Sequence, residues 1–88
     1  MSYFVYMLLT KHKEKFYTYV GFTNNLKNRL NNHNSSKGAK YTKGKKWIIV
    51  YKRKYLTKSD AMKEEYSLKK NKKLRSFYKT KYVSKYYG

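Results

Sequence analysis

Four side chains in this 88-residue chain could together engage a phosphodiester: two tyrosine phenols, one arginine and one glutamate. The stretch Tyr19-Val20-Gly21-Phe22-Thr23-Asn24-Asn25-Leu26-Lys27-Asn28-Arg29 carries two of them. It reads as a strand that stops at a glycine, turns, and opens a helix. Tyr19 ends the strand and Arg29 falls on the second helical turn, so a phenol and a guanidinium flank one corner. A second strand, Tyr3 to Leu9, brings another phenol, Tyr6. An arginine fork matches paired phosphate oxygens. A phenol, with a pKa of about 10, is a poor base at neutrality unless cations favour its ionised form.

The fourth group, Glu65, has Ala61 at i−4, Met62 at i−3 and Leu68 at i+3, all apolar. A carboxylate on such a stripe is costly unless it is paired or holds a metal. An ion pair with Lys69 at i+4 is the simple alternative. Glu64, beside Asp60 and Ser67, reads as solvent-facing. Arg29 borders the buried stripe Leu26, Leu30, His33, so it either snorkels to water or reaches into a site. His33 is either a satisfied boundary histidine or a group at the site's edge.

The elements that must position these groups follow in order. The run Tyr3-Phe4-Val5-Tyr6-Met7-Leu8-Leu9 is apolar, aromatic and β-branched, as in a buried strand. The apolar start, Met1 to Leu9, lacks a basic n-region and a small-residue cleavage site, and is taken as strand. Thr10 to Lys15 suits a hairpin turn, and Phe16 to Phe22 is the antiparallel partner. Gly21 marks a bulge, a close backbone approach, or simply the strand's end. Thr23 or Asn24 caps the first helix. Asn34 to Lys46 is a loop with two glycines and five lysines, either a phosphate-contacting flap or a solvated segment. Trp47 to Tyr55 is a third strand. Thr57-Lys58-Ser59-Asp60 resembles a capping box that starts a second helix, with Ala61, Met62 and Leu68 inward. Leu74, Phe77, Tyr78 and Tyr82 mark the inward face of a terminal helix, about 73–85. The expected fold is α/β (α+β): one domain over residues 1–88, a three-stranded antiparallel sheet flanked by helices in the order β-β-α-β-α-α.

Composition narrows the partner. Lys and Arg number 23 against 4 Asp and Glu, a formal net charge of +19. Residues 1–34 hold 5 basic and 1 acidic side chain, residues 35–88 hold 18 and 3, so the halves carry +4 and +15. Such an excess seeks a polyanion. AT-rich codon usage would supply lysine, but acidic residues as well. Without cysteine, disulfides and thiolate metal sites are excluded. No apolar run approaches the roughly 20 residues of a membrane span.

At this point the chain resembles the GIY-YIG nuclease superfamily, in particular its small single-domain branch, similar to the N-terminal incision domain of the bacterial excision-repair nuclease UvrC. The first motif falls on Phe4-Val5-Tyr6, the second on Tyr19-Val20-Gly21. The family arginine falls on Arg29, ten residues after Tyr19, and the family glutamate on Glu65. The stretches Arg29-Leu30-Asn31-Asn32-His33-Asn34 and Lys37-Gly38-Ala39-Lys40-Tyr41-Thr42 look typical of the small branch. The resemblance covers roughly residues 3–72. Two features depart from it: Phe22 stands where a lysine often follows the second motif, and the C-terminal asparagine has no clear match after Asn71.

The resemblance implies an endonuclease acting on DNA, branched or damaged, with RNA and a non-catalytic binding module as the rival readings, no membrane, and a cytoplasmic location. It gives Tyr19 the role of general base toward water, Tyr6 that of orienting Tyr19 and bonding nucleophile or phosphate, and Arg29 that of phosphate clamp. Glu65 would hold one Mg²⁺ or Mn²⁺, and His33 would assist at the edge. Four acidic residues scarcely build a two-metal cluster, which favours a one-metal or metal-poor mechanism. Lys37, Lys40, Lys43, Lys45, Lys46 and Lys69 are the expected phosphate contacts.

Overall fold

The computed structural model describes residues 2–35 and 37–88; Met1, at the head of the first expected strand, and Ser36, within the expected loop, lie outside the described residues. Its elements are β1 (Tyr3–His12), β2 (Lys15–Thr23), α1 (Leu26–Asn34), a 3₁₀ turn (Lys40–Thr42), β3 (Ile48–Tyr55), α2 (Lys58–Lys70) and α3 (Lys72–Tyr87). The strands form one antiparallel sheet in the order β2-β1-β3, as expected.

The central strand is sealed on both faces, since every residue from Val5 to Thr10 is buried. Alternation sends Val5, Met7 and Leu9 to one side, where Val20, Val50, Ala61 and Leu68 join them and α3 packs through Leu74, Tyr78, Tyr82, Val83 and Tyr87. Tyr6 and Leu8 point the other way, against Trp47, Tyr19, Leu26, Leu30 and Ile49. α2 and α3 therefore cover one face, and α1 with the loop covers the other. A register shift opposite Met7 and Leu8 inserts one extra residue in β3, so Val50 serves the first cluster while Ile49 serves the second.

Several sequence expectations shift. The turn is two residues, Lys13 and Glu14, not Thr10 to Lys15. Both have positive φ, 50° and 65°, the pairing whose twist suits a two-residue hairpin. Thr10 stays in β1 because it is buried there. The α1 cap is Asn25, one residue later than expected, and it accepts from the Asn28 N–H at 3.1 Å. Thr23 remains in β2 and accepts from the Asn25 N–H at 3.1 Å. Trp47 lies just before β3 rather than within it. Thr57 does cap α2, accepting from Asp60 N–H at 3.1 Å.

Two inward assignments are corrected. Met62 is half exposed, because Ala61, Glu65 and Leu68 define the packed face and Met62 is rotated about 100° from Ala61. Phe77 is exposed as well and rests edge-on against Tyr78, their centroids 5.3 Å apart.

Candidate active site

The hairpin brings the two phenols together. Leu8 pairs with Tyr19 and Tyr6 with Gly21, which puts Tyr6 and Tyr19 on one face with ring centroids 6.4 Å apart. Tyr6 is buried and Tyr19 is partly exposed. Arg29 reaches them from α1. Its guanidinium comes close enough to both phenols, Tyr6 foremost, that they hold its pKa above the ordinary arginine value. Of the two readings for Arg29, the one that reaches inward describes the structure. Burial pushes the Tyr6 phenol up to about 12, outweighing the opposing pull of Arg29.

Glu65 projects from α2, in the layer on the other side of the sheet, and its side chain is 19% exposed. Its charge is felt at Tyr6, adding to the upward shift of that phenol. The simple alternative also holds: Lys69 Nζ lies 3.2 Å from Glu65 Oε1. Glu64 is exposed, as expected.

His33 packs against Tyr6, with ring centroids 5.9 Å apart. It is wholly buried beneath the tyrosines. Its Nε2 lies 2.9 Å from the Tyr6 hydroxyl and its Nδ1 2.9 Å from the Thr42 hydroxyl. The ring also packs against Tyr19, with centroids 5.0 Å apart. A side chain at Gly38 would run into this imidazole, so the glycine closes the fourth side. Burial, reinforced by the positive charge of Arg29, lowers the His33 pKa, so the ring is neutral at pH 7.

The loop is more ordered than composition suggested. Asn34 clasps Trp47 at both backbone atoms: its Oδ1 accepts from Trp47 N–H at 2.6 Å and its Nδ2 donates to Trp47 O at 3.2 Å. The Trp47 indole N–H donates to Thr42 O at 3.1 Å. Thr10, buried at the end of the central strand's sealed run, donates its hydroxyl to Lys46 O. Sequence reasoning missed Asn34, Thr42 and Trp47 as parts of the site. The only sign of them was their place in the branch-typical stretches and the lone tryptophan after the loop.

Of the expected phosphate contacts, Lys37, Lys40, Lys43 and Lys46 are exposed on this loop. Lys45 instead folds back over the Tyr17 and Tyr41 rings, 5.7 and 5.5 Å from their centroids. Tyr41 in turn stacks on Tyr19 at 6.2 Å. Lys69 is engaged with Glu65. Phe22, where a lysine often stands, and Asn71 both have structural uses. Phe22 packs against the buried cluster under α2, and Asn71 caps α3 by accepting from Leu74 N–H at 3.0 Å.

Among the described residues no three His, Asp or Glu side chains cluster as a metal cage would require. The donor set does fit one hard cation held by a single carboxylate. Glu65, whose Oε1 pairs with Lys69, is the carboxylate that would hold it, as single-carboxylate sites with a largely hydrated ion allow.

A sheet whose hairpin joins two tyrosines under an arginine, with a glutamate from the next layer, defines a GIY-YIG domain. The chain matches the family model described as the GIY-YIG catalytic domain over residues 2–82, and it belongs to that family, a nuclease superfamily. Its relatives include UPF0213 protein OB0043 of Oceanobacillus iheyensis, 42% identical over 69 residues that cover 77% of each chain. A UPF0213 protein of Staphylococcus aureus is 38% identical over 78 residues, covering 84% of this chain and 92% of that one. The solution structure of the UPF0213 protein BH0048 from Bacillus halodurans is 31% identical, with a TM-score of 0.47, over 88% of this chain and 82% of its own.

Proposed function

We propose that this chain is an endonuclease that hydrolyses DNA phosphodiester bonds, with one Mg²⁺ or Mn²⁺ held by Glu65. The reading extends to a single domain spanning residues 1–88, a cytoplasmic location and a role on branched or damaged DNA. The observation that supports it is the pair of phenols from adjacent strands, ring centroids 6.4 Å apart, with the Arg29 guanidinium brought beside them.

Attack of water on phosphorus adds negative charge to the phosphoryl oxygens, and a preorganised guanidinium stabilises that charge. Arg29 already stands at the phenols, so a phosphate placed over it meets Tyr19 at the same time. Tyr19 is the partly exposed phenol and serves as base: it takes the water proton as the new P–O bond forms and the P–O bond to the leaving sugar oxygen breaks, and that oxygen is protonated from solvent. Tyr6 is buried, stays neutral and orients the group. A cation held by Glu65, whose charge is felt at Tyr6, would supply positive charge toward the developing anion. Lys37, Lys40, Lys43 and Lys46 contact flanking phosphates, while Lys45 and Lys69 act through Tyr41 and Glu65 respectively.

The test is nicking of supercoiled plasmid with and without Mg²⁺ or Mn²⁺. Tyr19→Phe and Glu65→Ala should each lower the rate by about 100-fold or more while gel-shift binding persists. Nicking that survives both changes sinks the assignment. A module that shifts DNA, loses affinity steeply with salt and never nicks would be a binder only. Preference for RNA at matched salt would move the substrate class.

A further inference from the structure

Thr42 sits where the 3₁₀ turn closes against α1, and the directions of its hydrogen bonds can be worked out. Its backbone is pinned by the Trp47 indole N–H, 3.1 Å from its carbonyl oxygen. Its hydroxyl oxygen lies 2.8 Å from the Ala39 carbonyl oxygen. Two bare oxygens at that separation repel, so the hydroxyl hydrogen lies between them and Thr42 is the donor. The same hydroxyl oxygen lies 2.9 Å from His33 Nδ1 and, having used its hydrogen, can only accept there. Nδ1 therefore carries the proton. A neutral imidazole has one N–H, so Nε2 is bare. Tyr6 Oη, 2.9 Å from Nε2, must donate to it.

The Tyr6 hydrogen thus points into the protein. Outward, its oxygen offers lone pairs alone. Phosphodiester oxygens are also acceptors only, so Tyr6 cannot hydrogen-bond the phosphate. It can meet donors: the Arg29 guanidinium and a water molecule.

We infer that Thr42 is a positioning residue which, through the His33 tautomer, makes Tyr6 an inward donor and so presents an acceptor-only oxygen to the attacking water. The catalytic part of this inference rests on the nuclease reading; the tautomer does not. With Thr42→Val the branched shape is kept but Nδ1–H has no acceptor, and His33 is free to take the other tautomer. Tyr6 would then turn its hydrogen outward, against the water it should receive.

The experiment reads the resting protein first. Nitrogen-15 NMR of the His33 ring at neutral pH should find Nδ1 protonated in the wild type and in Thr42→Ser, and a shift toward protonated Nε2 in Thr42→Val. A wild-type ring protonated on Nε2 overturns the inference, and this holds even if the valine variant fails to fold. In the plasmid assay Thr42→Val should lower kcat by about tenfold or more with KM little changed, as for other groups that orient a histidine, and Thr42→Ser should restore it. A valine variant with wild-type kcat and an unchanged ring also overturns it. A wild type that never nicks would end the nuclease reading and leave the tautomer result standing.

Discussion

Gly21 stands opposite Tyr6 in the β1–β2 ladder, and a Cβ at Gly21 would lie 2.6 Å from the Tyr6 phenol oxygen. The same Cβ would lie 3.2 Å from the Tyr19 ring. The glycine is the slot through which the inner phenol crosses to the arginine. Neither strand end nor bulge explains it, since the β1–β2 pairing runs without a shift.

Gly21→Ala should therefore displace the Tyr6 ring, which is hemmed in by His33. Overpacking of this kind costs about 1–3 kcal/mol. Urea unfolding should show that loss, and plasmid nicking should fall with it. An alanine variant with unchanged stability would mean the ring yields freely.

The Tyr6 phenol should make stability fall at high pH. Its folded pKa of about 12 lies above the unfolded value of 10.0. The stabilisation is complete below pH 10 and is lost as pH rises toward 12, by about 2–3 kcal/mol at most. Tyr6→Phe should flatten this slope relative to wild type in urea titrations across that window. At neutral pH the same variant should lose about 1–3 kcal/mol, because His33 Nε2 is left buried without a donor.

His33 should act at the acid end. Its folded pKa is depressed, so its contribution is complete above the unfolded value of about 6.5 and is lost as pH falls through the folded value. Unfolding followed by circular dichroism should show stability declining below that point. The decline should be smaller in His33→Gln.

The hairpin turn is open to improvement. Lys13 and Glu14 both occupy left-handed backbone, at φ 50° and 65°, without being glycine or asparagine. Lys13→Asn with Glu14→Gly should stabilise by about 1 kcal/mol, and the exposed Lys11–Glu14 pair at 3.7 Å gives little to lose. A lower thermal midpoint would contradict this explanation of the turn.

The loop lysines should set the salt dependence of binding. Replacing Lys40, Lys43 and Lys46 by glutamine should reduce the slope of log affinity against log salt by about 0.9 for each phosphate that is no longer neutralised. An unchanged slope would place the DNA elsewhere on the surface.

Much of this protein was written in local pattern. The apolar run of β1, the Thr57 cap of α2 and the tyrosine, arginine and glutamate spacings all depend on near neighbours, and each was readable along the chain. The excess of 19 positive charges required only counting. Tertiary structure alone decided which way each borderline group faced. Arg29 turns inward because two phenols from the hairpin offer it acceptors; His33 is buried because Tyr6 and Thr42 satisfy both of its nitrogens. Met62 and Phe77 turn outward because helix packing selects one face among several apolar ones. Hydrogen-bond partners distant in sequence, such as Tyr6 and His33 or Asn34 and Trp47, leave no periodic trace, and so the inner layer of the site became visible only once the chain was folded.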